Sequence, residues 1–211
     1  MTPSSVVVQP GRPGEDNRTV APEDYTYEGS AEGPHNDADV AFVTRMIVHH
    51  AQALEMAALA PDRASSPQVL SFADRVAGAQ AAEIRGLAGW LDARELPRPP
   101  EADLDQAEPG PSAPAGSGPR APGHGGHGQS GHEDMPGMVS DDDLAALEAA
   151  SGTEFDRLFL ELMIRHHLGA VDMADDALRD GSDLYANEIA TDTSVGQTAE
   201  INRMRDILAG L

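Results

Sequence analysis

Two histidine pairs, His49-His50 and His166-His167, stand in matching surroundings in a chain of 211 residues. Met46 and Met163 precede them by about one helical turn, and Met56 and Met173 follow at about two turns. Imidazole and thioether without thiolate form a soft donor set suited to copper, Cu(I) or Cu(II), outside a reducing cytosol. Another divalent metal is open to the same histidines. The chain has no cysteine, which excludes disulfides, thiolate metal sites and cysteine nucleophiles.

The matching extends well past the histidines. A single shift of 117 residues (163 − 46) carries Asp39 onto Asp156, Phe42 onto Phe159, Ala53 onto Ala170, and Gln80 and Glu83 onto Gln197 and Glu200. An internal duplication without net insertion therefore spans two helices and the turn between them. A histidine pair placed alike in both halves points to a paired site at the pseudo-symmetric centre of the fold.

Apolar periodicity predicts long helices over 37–60, 67–95, 153–179 and 183–208, with a short one after Ser140. Pro61 stops the first, and Ser66-Pro67 opens the second as N-cap and first-turn proline. The three aspartates after Ser140 suit a helix N-terminus, and Gly152 ends that short helix. Thr153 and Asp156 resemble a capping box at the start of the next. Strand signals are absent. The fold class is all-α: a four-helix bundle, ferritin-like, built from two duplicated hairpins with one long connection. Residues 1–36, rich in proline, glycine and acid, read as a disordered tail. Residues 37–211 make one domain: the first hairpin over 37–96, a flexible linker over 97–139, and the short helix with the second hairpin over 140–211.

On a helical wheel His49 and His50 both fall inside the apolar arc of the first helix, and His166 and His167 inside that of the third. His50 lies closer to the centre of the arc with Met46 one turn before it, which makes it the better ligand candidate. His49, about 100° away, lies toward the flank, within reach of Gln80 or Glu83. Gln80 interrupts the apolar stripe of the second helix and Glu83 sits at its edge; Gln197 and Glu200 repeat this in the fourth. Buried polar groups cost roughly 1 to 3 kcal/mol each unless partnered. The four histidines must therefore pair with these Gln and Glu side chains, bind an ion alongside Met46, Met56, Met163 and Met173, or do both. A hydrogen-bond network that merely fixes helix register stands beside the metal reading. Asp39 and Asp156 lie on the inward arc close to helix starts, where capping is the expected role.

A second donor cluster lies in the connection, where His124, His127 and His132 alternate with glycines ahead of Met135-Pro136-Gly137-Met138. It reads either as a weak chelating tract or as solvated linker. Pro136 and Gly137 favour a turn, and two thioethers in a glycine-rich stretch gain by burial. The turn is expected to dock over one end of the bundle, with Met138 near a histidine pair as lid, extra soft ligand or core cap.

The formal charge of −22 argues against nucleic acid or anionic membrane as partners and favours a metal ion. No apolar run reaches the roughly 18 residues of a membrane span. Residues 1–10 lack the basic start and apolar core of an export signal.

The pattern Asp-x-x-Phe-x-x-x-Met-Ile-x-His-His-x-x-Ala-x-x-Met-Ala, starting at Asp39 and again at Asp156, resembles the domain of unknown function 305 family. Met135-Pro136-Gly137-Met138 and the Ala-Ser-Gly-x-x-Phe-Asp run from Ala150 to Asp156 resemble it too. The resemblance implies a ferritin-like four-helix bundle, exported or anchored outside the cytoplasm, with copper binding and copper resistance among some relatives. It carries ligand roles onto His49, His50, Met46 and Met56, and onto His166, His167, Met163 and Met173.

The leading reading is a non-enzymatic metal-binding protein, for copper first, acting as a buffer or chaperone outside the cytoplasm. A ferritin-like metal-dependent oxidoreductase is the first alternative, but a di-iron site wants two Glu-x-x-His motifs and neither repeat has one. No Ser/His/Asp or phosphate-loop arrangement nominates a catalytic residue. The second alternative is a structural or binding module without metal, whose core holds a His-Gln-Glu network.

Overall fold

A short polar side chain ahead of an apolar periodic run makes an N-cap, and Asn36 does so here. Its Oδ1 accepts from the Ala38 and Asp39 amides, and Asp39 accepts back from the Asn36 amide at 2.8 Å. The computed structural model describes residues 7–9, 18–20, 34–104 and 135–211. Helix α1 spans Asp37–Ala58 and α2 Ala60–Arg63. Pro61 was expected to stop the first helix; it instead opens α2, where the missing N–H is one of the unpaired donors anyway. Helix α3 spans Pro67–Asp92, ending short of the expected residue 95, where Glu95 adopts φ +55°. Helix α4 spans Asp141–Ala149, capped by the Ser140 side chain. Gly152, expected to end it, begins α5 (Gly152–Asp180), and α6 covers Leu184–Ala209.

The described chain is an all-α bundle. Helix α3 packs along α1 and α6 along α5, and the two hairpins meet chiefly through α1 and α5. Two apolar clusters result. Phe42, Met46, Ile47, Trp90 and Met173 fill one; Met56, Phe72, Phe155, Phe159 and Met163 fill the other. Each buried side chain of this size contributes roughly 1.5 to 3 kcal/mol. Met46 joins Met173, and Met56 joins Met163, so α1 and α5 run antiparallel with the histidines between the two clusters.

The hairpins also brace each other through their turns. Asp156 accepts from the Ser65 amide (3.1 Å), the Ser65 hydroxyl (2.6 Å) and the Ser66 amide (2.9 Å). Asp39 accepts from the Ser182 amide and hydroxyl and from the Asp183 amide at 3.1 to 3.2 Å. The 117-residue shift maps one set onto the other. The expected capping box of Thr153 and Asp156 does not form: α5 starts at Gly152 with Ser151 in the cap position, so Thr153 already lies inside the first turn, and no side chain caps the helix.

Strands, absent from the sequence reading, occur once among the described residues. Val7–Gln9 (β1) and Arg18–Val20 (β2) pair antiparallel with Val7 opposite Val20, a consequence of the β-branched residues in both runs. The rest of the expected tail before residue 34 lies outside the described residues. So do 105–134 of the expected linker, including His124, His127 and His132. Both flanks of that linker pack on the bundle: Pro100–Ala102 forms a 3-10 turn with Ala102 buried, and Met135 is buried in the Trp90 cluster.

Candidate metal centre

All four histidines are buried, at 0 to 1 % exposure, in one layer between the apolar clusters. Helix α1 delivers His49 and His50 as neighbours, so their rings diverge and their centroids lie 6.4 Å apart; His166 and His167 on α5 repeat this at 6.3 Å. His49 and His166 meet at the centre, with centroids 3.7 Å apart and planes tilted by 33°. The outer pair points back into each hairpin. His50 Nε2 lies 2.6 Å from Glu83 Oε2, and His167 Nε2 lies 2.7 Å from Glu200 Oε2.

These positions correct the expected partners within each pair. His50 was expected nearer the centre of the inward arc and His49 at the flank, within reach of Gln80 or Glu83; His50 instead takes Glu83, and His49 meets the other hairpin. The helix that partners α1 within its own hairpin is α3, and His50 lies on the side of α1 that faces it. His49 lies on the side that crosses α5. Gln80 and Gln197 are buried in equivalent places, and the Oε1 of each has no hydrogen-bond partner.

The Met135-Pro136-Gly137-Met138 turn also docks elsewhere than expected. It crosses the middle of the α1–α5 pair, not an end of the bundle, because two backbone contacts hold it there. The Pro136 carbonyl accepts from His49 Nε2 at 3.1 Å. The Gln52 side-chain amide then clamps Val139 on both sides, donating to its carbonyl (2.9 Å) and accepting from its amide (2.8 Å). Gly137 has φ +77°, and a Cβ there would lie 2.7 Å from the Arg165 carbonyl oxygen; a Cβ on Gly169 would overlap the Pro136 carbonyl. Two glycines back to back let the strap lie on α5. Met138 is partly buried and lines an open cleft of about 660 Å³ with Val48, Glu55 and Asp141, so the contact to a histidine belongs to Pro136. Burial, with Glu148 and Asp141 nearby, raises the Glu55 carboxyl in that cleft.

Burial sets the chemistry of the central pair. Desolvation, reinforced by His50, pushes His49 down to about 3, and desolvation with His49 drives His166 well below its ordinary value. Both are therefore neutral at neutral pH. A neutral His49 that donates from Nε2 carries a bare lone pair on Nδ1, which has no partner. Glu83 and Glu200 lie against Nε2 of His50 and His167, and the Nδ1 atoms of these two make no hydrogen bond. His166 differs. The His49 backbone carbonyl lies close enough to favour a proton on it, yet neither ring nitrogen makes a hydrogen bond of proper geometry. Histidines tied to oxygen through one nitrogen, with the other left without a partner, have the wiring of metal ligands. Among the described residues no three His, Asp or Glu side chains converge on a single point. Met46, Met56 and Met163 are fully buried on either side of the layer, and Met173 nearly so.

The family model for "Domain of unknown function (DUF305)" matches residues 39–208, which run from the first bracing aspartate to the end of the fourth long helix. The chain belongs to the DUF305 family. Two DUF305 crystal structures resemble this chain. That from Streptomyces coelicolor is 28% identical with a TM-score of 0.64, covering 82% of this chain and 93% of its own. That from Deinococcus radiodurans is 29% identical with a TM-score of 0.65, covering 84% and 99%. The Cu(II)-bound form of the protein CopM is 25% identical with a TM-score of 0.59, covering 82% and 96%. No curated protein matches the chain. Sequence reasoning alone missed Gln52, the Pro136 carbonyl and Gly169. The signal was present: the shift that matches both histidine pairs sets Gln52 opposite Gly169, a mismatch three residues from His49 and His166.

Proposed function

We propose that this DUF305 protein binds a soft transition-metal ion, copper first, and holds it as a buffer or chaperone outside the cytoplasm. The observation that carries the reading is the duplicated layer of buried histidines in which three present an unpartnered Nδ1 backed by an oxygen acceptor. Neutral imidazoles and flanking thioethers without thiolate suit copper. The similarity to CopM in a Cu(II)-bound form supports the same metal. The Streptomyces coelicolor relative, named as a candidate secreted protein, supports a place outside the cytoplasm. The net charge of −22 would raise the local concentration of cations.

Anaerobic titration of the full chain with Cu(I), and aerobic titration with Cu(II), tests this under competition with a chelator of known affinity. Binding tighter than about 1 µM that leaves the helical circular dichroism unchanged is the expected result. A folded protein with no such site overturns it. The 3.7 Å stack of His49 on His166 favours a second reading, in which the layer is a polar network that fixes the register of α1 on α5. The same titration separates the two. Glu83 and Glu200 are engaged one to each outer histidine, an arrangement that gives little support to a carboxylate-bridged oxidase.

A further inference from the structure

We propose that the strap over 135–139 makes the two central histidines chemically unequal. It fixes His49 in the Nε2–H form and leaves His166 as the adjustable partner, with Gln52 and Gly169 as the positioning residues. This deepens the metal-binding reading and rests on it for its purpose, though not for its geometry.

Duplication makes His49 and His166 equivalent, and their burial is the same. What separates them is a single piece of chain that occurs once. The strap touches both repeats at the same register: Gln52 of α1 clamps Val139, and its counterpart Gly169 of α5 makes room for Pro136 and Gly137. A glutamine at 169 would fill the notch, and a glycine at 52 would remove the clamp. The pair has thus diverged in complementary directions, one to hold and one to admit. What the strap delivers is a backbone carbonyl, an acceptor that cannot turn donor, set 3.1 Å from His49 Nε2. No equivalent acceptor reaches a nitrogen of His166 in hydrogen-bond geometry. His49 therefore offers only Nδ1 to an incoming ion. His166, buried against the His49 ring, has only the nearby His49 backbone carbonyl and no hydrogen bond of proper geometry to hold its proton, so a pseudo-symmetric layer becomes a site with one fixed ligand and one less constrained.

Imidazole nitrogen spectra of ¹⁵N-labelled, metal-free full chain read the tautomer of each histidine directly. The expected result for the parent is protonated Nε2 and bare Nδ1 at His49. In Gly169→Ala, whose alanine is the better helix former but expels the Pro136 carbonyl, the His49 signals should move to a mixture of tautomers. Gln52→Ala, which leaves α5 untouched, should move them in the same direction and should expose the Val139 amide to hydrogen exchange. Signals of His50 and His167 should stay in place in both variants. Silver(I) added to the same samples should bind the variants about tenfold more weakly than the parent, the scale for losing a group that orients a ligand. An unchanged His49 tautomer after the Val139 amide has become exposed overturns the proposal. So does a Val139 amide still protected in both variants, since Gln52 and Gly169 then do not seat the strap. If silver and copper fail to bind the parent, the metal-binding reading falls, while the nitrogen spectra still decide the role of the strap.

Discussion

The two hairpins share one polar skeleton and differ in what lies over it. Asp39 and Asp156, His50 and His167, and Glu83 and Glu200 superpose in role, with His–Glu distances of 2.6 and 2.7 Å. Gln52 and Gly169 do not, and that one mismatch determines where the only strap among the described residues can lie. Symmetric positions here carry stability and buried proton-acceptor chemistry. The asymmetric position controls how one ring nitrogen is used. Duplication thus supplied the scaffold, and divergence at the Gln52–Gly169 pair distinguishes how its halves receive the strap.

Among single substitutions the largest effect should come from the bracing aspartates. Asp156→Ala strips a buried acceptor from three donors, at a cost of roughly 1 to 3 kcal/mol for each one left unsatisfied, and about 3 kcal/mol in total is expected. Asp39→Ala should cost about 1 kcal/mol more, because Asp39 also closes the capping box with the Asn36 amide. Urea midpoints of the two variants measure this, and equal losses would show that the box adds nothing.

Acid should unfold the protein through the histidine layer. The folded pKa of His49, about 3, lies below the unfolded value near 6.5, so the unfolded chain binds the proton first. Stability is then complete above about pH 6.5 and falls by about 1.4 kcal/mol per pH unit on the way down to 3 for His49 alone. His166 acts in the same direction. A stability profile flat between pH 6.5 and 4.5 would contradict the burial of both.

Glu83→Gln and Glu200→Gln keep the shape of the outer pairs but weaken the acceptor behind each imidazole. Each should lower copper affinity about tenfold, and equally, in a competition titration. Unequal losses would extend the asymmetry of the strap to the outer histidines. The smallest effect is expected from Met138→Leu, a volume-conserving change beside the cleft. Copper affinity should change less than about twofold, or by less than about 0.4 kcal/mol in binding free energy. A tenfold loss would make the sulfur a ligand after all.

The helices, the duplication and the burial of the histidines followed from apolar periodicity and from one constant shift, because both are properties of sequence spacing. The division of work between His49 and His50 did not. A wheel shows which arc faces inward but not which neighbour lies at each edge of it, and here the hairpin mate and the opposite hairpin occupy different edges. The bracing role of Asp156 was hidden for a related reason. Its spacing from Thr153 fits a local cap, while its partners Ser65 and Ser66 lie 91 and 90 residues away. The seat of the strap escaped because its key contacts are a backbone carbonyl and a missing Cβ, neither of which has a residue type to announce it.

The reciprocal placement of Asp39 and Asp156 bears on descent. Each aspartate completes the turn of the opposite hairpin and not that of its own, so a lone hairpin would leave its aspartate without the cross-hairpin donors and its own turn unbraced. Two identical hairpins facing each other across a twofold axis would satisfy both at once, by the self-complementary logic of an isologous dimer. Such a dimer dissociates on dilution, whereas two halves on one chain meet at an effective concentration set by the tether. The connection between the hairpins thereby removes the concentration dependence that a two-chain ancestor would have had. It also frees the halves to diverge, since a residue changed in one is no longer changed in the other.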